Sequence, residues 1–347
     1  MPHKSRWTVP IPDCSLPTLM FKSPYHHLSD EKCLIDATDP ERRYLTRRTL
    51  RLWSQRLAKG LTDSKYFSKG DRVLLFSGND LMAAVVFMGV ICAGGIFTGA
   101  NPTFMPGELA HQLRDSGATL LFCADGSIET GIEAANLAGL SLDRVFVFNS
   151  AILGEAQLPM ISDIRGCQHW SNLVDSEDDA AHFSWTNLVD STSTIALNYS
   201  SGTTGVPKGV EITHRNYVSN TVQVAQITEN HRDDPNFTAR ARLLCFLPLY
   251  HAYGQTVFVA GAFYRHIPVY VMPKFDFITM LDCVQKFRIT ELYVVPPMAV
   301  LMAKHAAVKN YDLSSIEYMV SGAAPLGRDV SAQVEKRLGN RFTIKQG

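Results

Sequence analysis

Tyr199-Ser200-Ser201-Gly202-Thr203-Thr204-Gly205-Val206-Pro207-Lys208-Gly209 is the stretch on which the reading of this chain turns. It follows an apolar run, Ile195-Ala196-Leu197-Asn198, that reads as a short buried strand. The glycines and hydroxyls therefore begin where a parallel strand would leave its sheet, the usual place for a bound phosphate. Three glycines let the backbone turn tightly and approach a ligand, and Ser200, Ser201, Thr203 and Thr204 can donate to phosphate oxygens. Lys208 adds a positive charge. The spacing is not that of a Walker A loop, because Pro207 precedes the lysine and Gly209 follows it. A plain surface loop of small polar residues is the competing reading, and the combined spacing of glycine, hydroxyl and lysine argues against it.

Working outward, the second half of the chain is regular. Strand-like apolar runs are expected at Ile195 to Tyr199, Leu243 to Leu247, Pro268 to Val271, Glu291 to Val295, Ile316 to Val320 and Arg341 to Ile344. Helical patterns at Asn216 to Thr228, Phe277 to Phe287 and Arg328 to Leu338 separate most of them. Such alternation gives an α/β fold with a parallel sheet and right-handed crossovers, whose ligands lie at the carboxyl ends of the strands. The unusual residues fall at those ends: Ser200 to Lys208, Pro248 to Tyr253, Pro296-Pro297, Ser321 to Pro325 and Gln346-Gly347. One shared crevice explains these landings better than five unrelated loops.

Three segments carry a family resemblance: Ser200 to Gly209, Leu247-Pro248-Leu249-Tyr250-His251-Ala252-Tyr253-Gly254, and Ser321-Gly322-Ala323-Ala324-Pro325-Leu326-Gly327. A weaker echo runs from Ala100-Asn101-Pro102 to Glu108. Together they resemble the adenylate-forming superfamily, above all 4-coumarate:CoA ligase-like aryl and acyl-CoA ligases. The resemblance implies the large N-terminal core of such an enzyme, with two doubly wound, mostly parallel sheet sub-domains, expected at residues 1–190 and 191–347. It implies ATP, Mg2+ and CoA as cofactors and a small carboxylic acid as substrate. Ser200, Ser201, Gly202, Thr203, Thr204, Gly205 and Lys208 would face the ATP phosphates. Ala323, Gln346 and Gly347 would lie near the nucleotide, and Lys274 would neutralise CoA phosphates. His251 would position the carboxylate, with Lys208 sharing the catalytic role. Tyr253 would contact the acyl-adenylate, and Ser321, Gly322 and Ala323 would form a smooth wall for substrate.

The family pattern continues with a Tyr-Gly-x-Thr-Glu motif, a ribose-binding aspartate, a hinge and a small C-terminal lid domain carrying a catalytic lysine. The 347 residues end at Lys345-Gln346-Gly347. On this reading the lid is absent and thioesterification is expected to be greatly weakened. The chain would then be a truncated ligase, a gene-model fragment or one part of a split enzyme needing a separate C-terminal-domain partner. The alternative is an inactive relic that binds nucleotide or an acyl ligand.

Residue chemistry narrows the substrate. Activating an amino acid requires a buried carboxylate to pair with its ammonium, and Leu243 to Gln255 contains no Asp or Glu. Hydrophobic aryl or fatty acids fit better. Tyr253, Phe258, Val259 and Phe263 could line a tail pocket or belong to the ordinary core.

The rest of the chain bounds these readings. With 347 residues, 46% hydrophobic and 19% charged, one large core or two fused ones can form. The 33 basic and 33 acidic side chains cancel, which gives no sign of a nucleic-acid partner. Seven scattered cysteines without a C-x-x-C pair point to a reduced protein with no metal site. A cytoplasmic location is the default, and a peroxisomal one stays open for a full-length form.

Leu81 to Ala100 has no charge over twenty residues, long enough in principle to span a bilayer. Asn79-Asp80 as an N-cap and the Gly94-Gly95 break favour a buried helix over Leu81 to Cys92 followed by a strand. No membrane span is expected. Strands are also expected at Arg72 to Phe76, Thr119 to Cys123 and Arg144 to Phe148, and a helix opens at Pro106. Thr46 should cap a helix with Leu50, Trp53 and Leu57 inward and Arg47, Arg48, Arg51 and Arg56 on a solvated face. Residues 149–190 read as a long irregular connection inside one core.

Overall fold

A computed structural model describes residues 5, 7–22, 28–153, 161–200, 207–230 and 236–347. Two seven-stranded sheets organise these residues, each parallel apart from an antiparallel strand at one edge. In chain order the strands are β1 Lys32–Asp36, β2 Tyr44–Thr46, β3 Arg72–Phe76, β4 Ile96–Ala100, β5 Ala118–Ala124, β6 Val145–Phe148 and β7 Gln168–His169. They continue with β8 Thr194–Ser200, β9 Lys208–Thr213, β10 Leu243–Cys245, β11 Val269–Val271, β12 Glu291–Val294, β13 Tyr318–Ser321 and β14 Lys345–Gln346.

The first sheet runs β7-β6-β5-β3-β4-β8-β9 and the second β14-β13-β12-β10-β11-β1-β2. Each half of the chain therefore lends strands to the other's sheet. β1 and β2 precede the first sheet yet join the second, where Asp36 aligns with Val271. β8 pairs in parallel with β4, Phe97 opposite Ala196, and so belongs to the first sheet. This corrects the expectation that Ile195 to Tyr199 shares a sheet with Leu243 to Leu247. A cut at residue 190 separates neither sheet cleanly. Hydrophobic pattern marks a strand as buried without naming its neighbours, so sheet membership escapes it.

Local chemistry accounts for the elements that the sequence does define. In β3 the run Val73-Leu74-Leu75-Phe76 is buried on both faces, as a central parallel strand requires. The helix Leu81–Cys92 starts where the Asp80 carboxylate accepts the Met82 N–H at 2.7 Å, and all twelve of its residues are buried. A helix apolar all round is a core helix. It packs on the helix Arg47–Asp63, whose N-terminus carries a capping box of Thr46 and Thr49. Among the described residues no helix is long and apolar enough to cross a membrane.

Two expectations fail here for physical reasons. Arg47 and Arg56 are not on a solvated face: they are 2% and 6% exposed. Arg47 Nη1 donates to the Phe263 carbonyl at 2.7 Å, and Arg56 Nε to that of Asp175 at 2.7 Å. Long guanidinium side chains reach carbonyl partners far away in sequence while their stems pack. Arg48 does remain outside, paired with Asp30. The last strand is not Arg341 to Ile344, which is irregular, but Lys345–Gln346, paired in parallel with β13. The stretch expected as an irregular connection before β8 contributes strand β7 to the first sheet and a short helix, Glu177–Ala181, and Trp170 and Trp185 within it are fully buried.

Candidate active site

The segments singled out in sequence are linked by contacts running from the first sheet to the second. β8 and β9 form an antiparallel ladder in which Ser200 faces Lys208 and Asn198 faces Val210. Ser200 and Lys208 thus form the neck of a hairpin. Lys208 is exposed and has no ion pair among the described residues. Ser201, Gly202, Thr203, Thr204 and Gly205 lie outside the described residues.

Below the neck, Asn198 Nδ2 donates to Gln255 Oε1 and to the Tyr217 hydroxyl, each at 3.2 Å. Gln255, 1% exposed, in turn donates through Nε2 to the Tyr250 carbonyl at 3.0 Å. Gly99 on β4 faces the same segment. A Cβ there would lie 2.5 Å from the Tyr250 oxygen, so only glycine allows the two backbones to meet. Asn79, after β3, bridges three backbone groups of the second sheet's rim. Its Nδ2 donates to the carbonyls of Leu247 and Met272, and its Oδ1 accepts the Leu249 N–H at 2.9 Å. These ties set the carboxyl ends of β3, β4 and β8 against those of β10 and β11.

Asn198 and Gln255 were not expected at the site, and Asn79 was read only as part of a helix cap, a role that Asp80 fills. A side-chain amide of this kind is recognisable only by the groups it meets, and the backbone partners of Asn79 lie 168 to 193 residues away while Asn198 meets Gln255 across 57.

His251 sits on this seam. Its Nδ1 accepts the Tyr253 N–H at 3.2 Å, so the neutral ring carries its proton on Nε2. Partial desolvation lowers its pKa from the ordinary histidine value and favours that neutral form near pH 7. Such a ring can donate to an incoming carboxylate oxygen.

Tyr253 lies across Gly322: a Cβ at 322 would be 3.2 Å from its ring. The Tyr253 hydroxyl and the Ser321 hydroxyl are both buried with no hydrogen-bond partner among the described residues. Burial raises the Tyr253 phenol, keeping it protonated as a donor. Two unsatisfied hydroxyls flanking one glycine call for a polar partner.

A shelf supports Tyr253 from below. Tyr293 packs edge-on against it with ring centroids 6.3 Å apart, and the Tyr293 hydroxyl donates to Glu291 at 3.1 Å. Arg265 engages both Glu291 oxygens, and the pair is 4% and 0% exposed at its side chains. Phe258, Val259 and Phe263 are 1 to 3% exposed and belong to the core. Of the four tail-pocket candidates, only Tyr253 retains accessible surface.

Ser321, Gly322 and Ala323 leave the end of β13. The Gly322 N–H donates to the Val294 carbonyl at 3.1 Å, and the Gly347 N–H to that of Ser321 at 3.2 Å. Ala323 adopts φ 68°, a left-handed conformation that costs a residue bearing Cβ about 1–2 kcal/mol. Gln346 pairs with Ser321 across β13 and β14. Lys274 is exposed just past β11, next to Met272 and Pro273, which meet the Asn79 loop.

A separate cavity of about 410 Å³ opens beside the hairpin, lined by Phe104, Glu108, His111, Tyr199 and Pro207 among others. Among the described residues, none of the predicted site residues lines it. Among the described residues no group of three His, Cys, Asp or Glu side chains could hold a metal ion.

Comparison with known proteins bears on the family and the fold. The family model described as AMP-binding enzyme matches residues 22–347. A 4-coumarate–CoA ligase of Pinus taeda is 34% identical over 312 residues, covering 89% of this chain and 53% of the relative. A 4-coumarate–CoA ligase of Petroselinum crispum is 31% identical over 316 residues, covering 90% and 53%. The chain thus spans about half the length of the relatives it matches. Among solved structures, a natural red-emitting luciferase from Phrixothrix hirtus superposes with a TM-score of 0.79 at 26% identity, covering 99% of this chain and 79% of that one.

Proposed function

The chain belongs to the AMP-binding enzyme family, and on that premise we propose that its crevice activates a hydrophobic aryl or fatty carboxylic acid with ATP, for transfer to CoA. A carboxylate oxygen attacks the α-phosphorus, pyrophosphate leaves, and the thiol then displaces AMP from the acyl carbon. The observation that carries this reading is the pair of buried, unsatisfied hydroxyls of Tyr253 and Ser321 beside the neutral ring of His251. A polar head in an otherwise apolar and aromatic setting suits the junction between an acid and its adenylate.

In this reading Ser200 and the hydroxyl-rich segment after it, with Lys208, take the triphosphate. Charge there offsets what develops on the leaving pyrophosphate. Mg2+ would arrive on the phosphates of ATP. His251 Nε2 donates to the carboxylate and orients it for in-line attack. Tyr253, Gly322 and Ala323 hold the adenylate, with Gln346 and Gly347 at the nucleotide end. Exposed Lys274 meets the CoA phosphates. A C-terminal lid domain, carried by the same protein or supplied by a partner, would complete thioester formation.

The test is ATP–pyrophosphate exchange across a panel of aromatic and fatty acids. Acid-dependent exchange that falls at least a hundredfold in Lys208→Ala is expected. ATP binding without exchange for any acid, with or without an added lid domain from a related ligase, would defeat the enzyme reading and leave a nucleotide-binding relic.

A further inference from the structure

The side-chain amide of Gln346 is engaged through both its oxygen and its nitrogen by a single residue. Its Oε1 accepts the Leu326 N–H at 3.2 Å, and its Nε2 donates to the Leu326 carbonyl at 3.0 Å. The pairing of Gln346 with Ser321 brings β14 to the right height for this grip. At the other end of the same loop, the Gly322 N–H is fixed on the Val294 carbonyl and the Tyr253 ring lies against the glycine. Residues 322–326 are therefore pinned at both ends. Between the pins lies Ala323, with φ 68° and an exposed side chain.

That combination is informative. A left-handed residue with a Cβ persists only where its surroundings over-determine it, and glycine would relieve the strain at once. The loop instead keeps a methyl group on an exposed position next to two unsatisfied hydroxyls.

We infer that Gln346 is a positioning residue whose amide clamps the 322–326 loop and holds Ala323 in its left-handed turn, making a rigid wall for the planar base of a bound adenine nucleotide. Gln346 acts on the ligand through the loop. The inference rests on the proposed nucleotide crevice and adds how one wall of it keeps its shape. A flexible loop would have to be ordered on binding, whereas a clamped one is ordered beforehand.

Two variants test this with opposite signs. Ala323→Gly removes the strain and should raise the melting temperature by a few degrees, yet weaken binding of the fluorescent nucleotide mant-ATP at least fivefold. Gln346→Ala should weaken mant-ATP binding about tenfold in the otherwise native chain but less than twofold in the Ala323→Gly background, where the wall is already loose. Gln346→Glu keeps the acceptor for Leu326 N–H and loses the donor, so it should fall between Gln346→Ala and the native chain. A purely structural role would move melting temperature and leave affinity alone. Native affinity in Ala323→Gly, or full additivity of the two substitutions, overturns the inference while the crevice stands. A native chain that does not bind mant-ATP overturns the crevice itself, and the inference with it.

Discussion

Asn198 on β8 and Gln255 beyond His251 share a hydrogen bond of 3.2 Å, which ties the hairpin neck of the first sheet to the rim of the second. Tyr217 closes the triangle, within hydrogen-bond reach of both amides, and its ring is 1% exposed. The candidate site is thus assembled across two sheets by a buried polar joint.

That joint should be measurable as stability. Gln255→Leu leaves the Asn198 amide and the Tyr217 hydroxyl with only each other and takes the donor from the Tyr250 carbonyl, and each buried bond lost costs about 1–3 kcal/mol. Urea denaturation should show a clear fall in midpoint. Gln255→Leu combined with Asn198→Leu and Tyr217→Phe should cost less than the sum of the single changes, because fewer polar groups stay orphaned. Strict additivity would show that the three side chains do not act as one network.

The shelf beneath Tyr253 carries a sharper expectation. Glu291→Gln leaves the Arg265 charge buried without its counter-ion, a loss of about 3–5 kcal/mol. Replacing both partners with methionine should cost substantially less, because no charge is then stranded. Chemical denaturation of the two variants decides it, and a double variant less stable than Glu291→Gln would be the contrary result.

Acid should loosen the fold through two buried histidines. Burial lowers both His169 and His214 to about 4, and their neutral rings accept or share bonds with Ser171, Asn149 and the Leu16 N–H. In the unfolded chain histidine protonates near pH 6.5. Between about pH 6.5 and 4 the unfolded state therefore binds more protons, so stability is full above this window and falls as pH drops through it. Urea midpoints at pH 7.5, 5.5 and 4.5 should decline, with a shallower slope in His169→Asn. An identical slope in that variant would remove His169 from the account.

Much of the scaffold was legible in the sequence because one local signal decided it. Leu81–Cys92 and β3 appeared where expected, since an unbroken apolar run with a capping Asp80 or flanking charges leaves few alternatives. What stayed hidden depended on partners distant in sequence. The apolar run of β8 showed that it was a strand and not that β4 is its neighbour. Nothing adjacent to Arg47 revealed that the Phe263 carbonyl waits 216 residues on. Gln346 was picked out by resemblance as a nucleotide neighbour. Only the fold shows its amide spent on Leu326.

The most direct measurement of the central claim is a hydrogen-exchange footprint of the chain with and without ATP and Mg2+. One nucleotide crevice built from both sheets predicts slower exchange, at a common half-saturating ATP concentration, in peptides covering 200–208, 249–255 and 321–326. Protection confined to a single one of these segments, or to none, would contradict it.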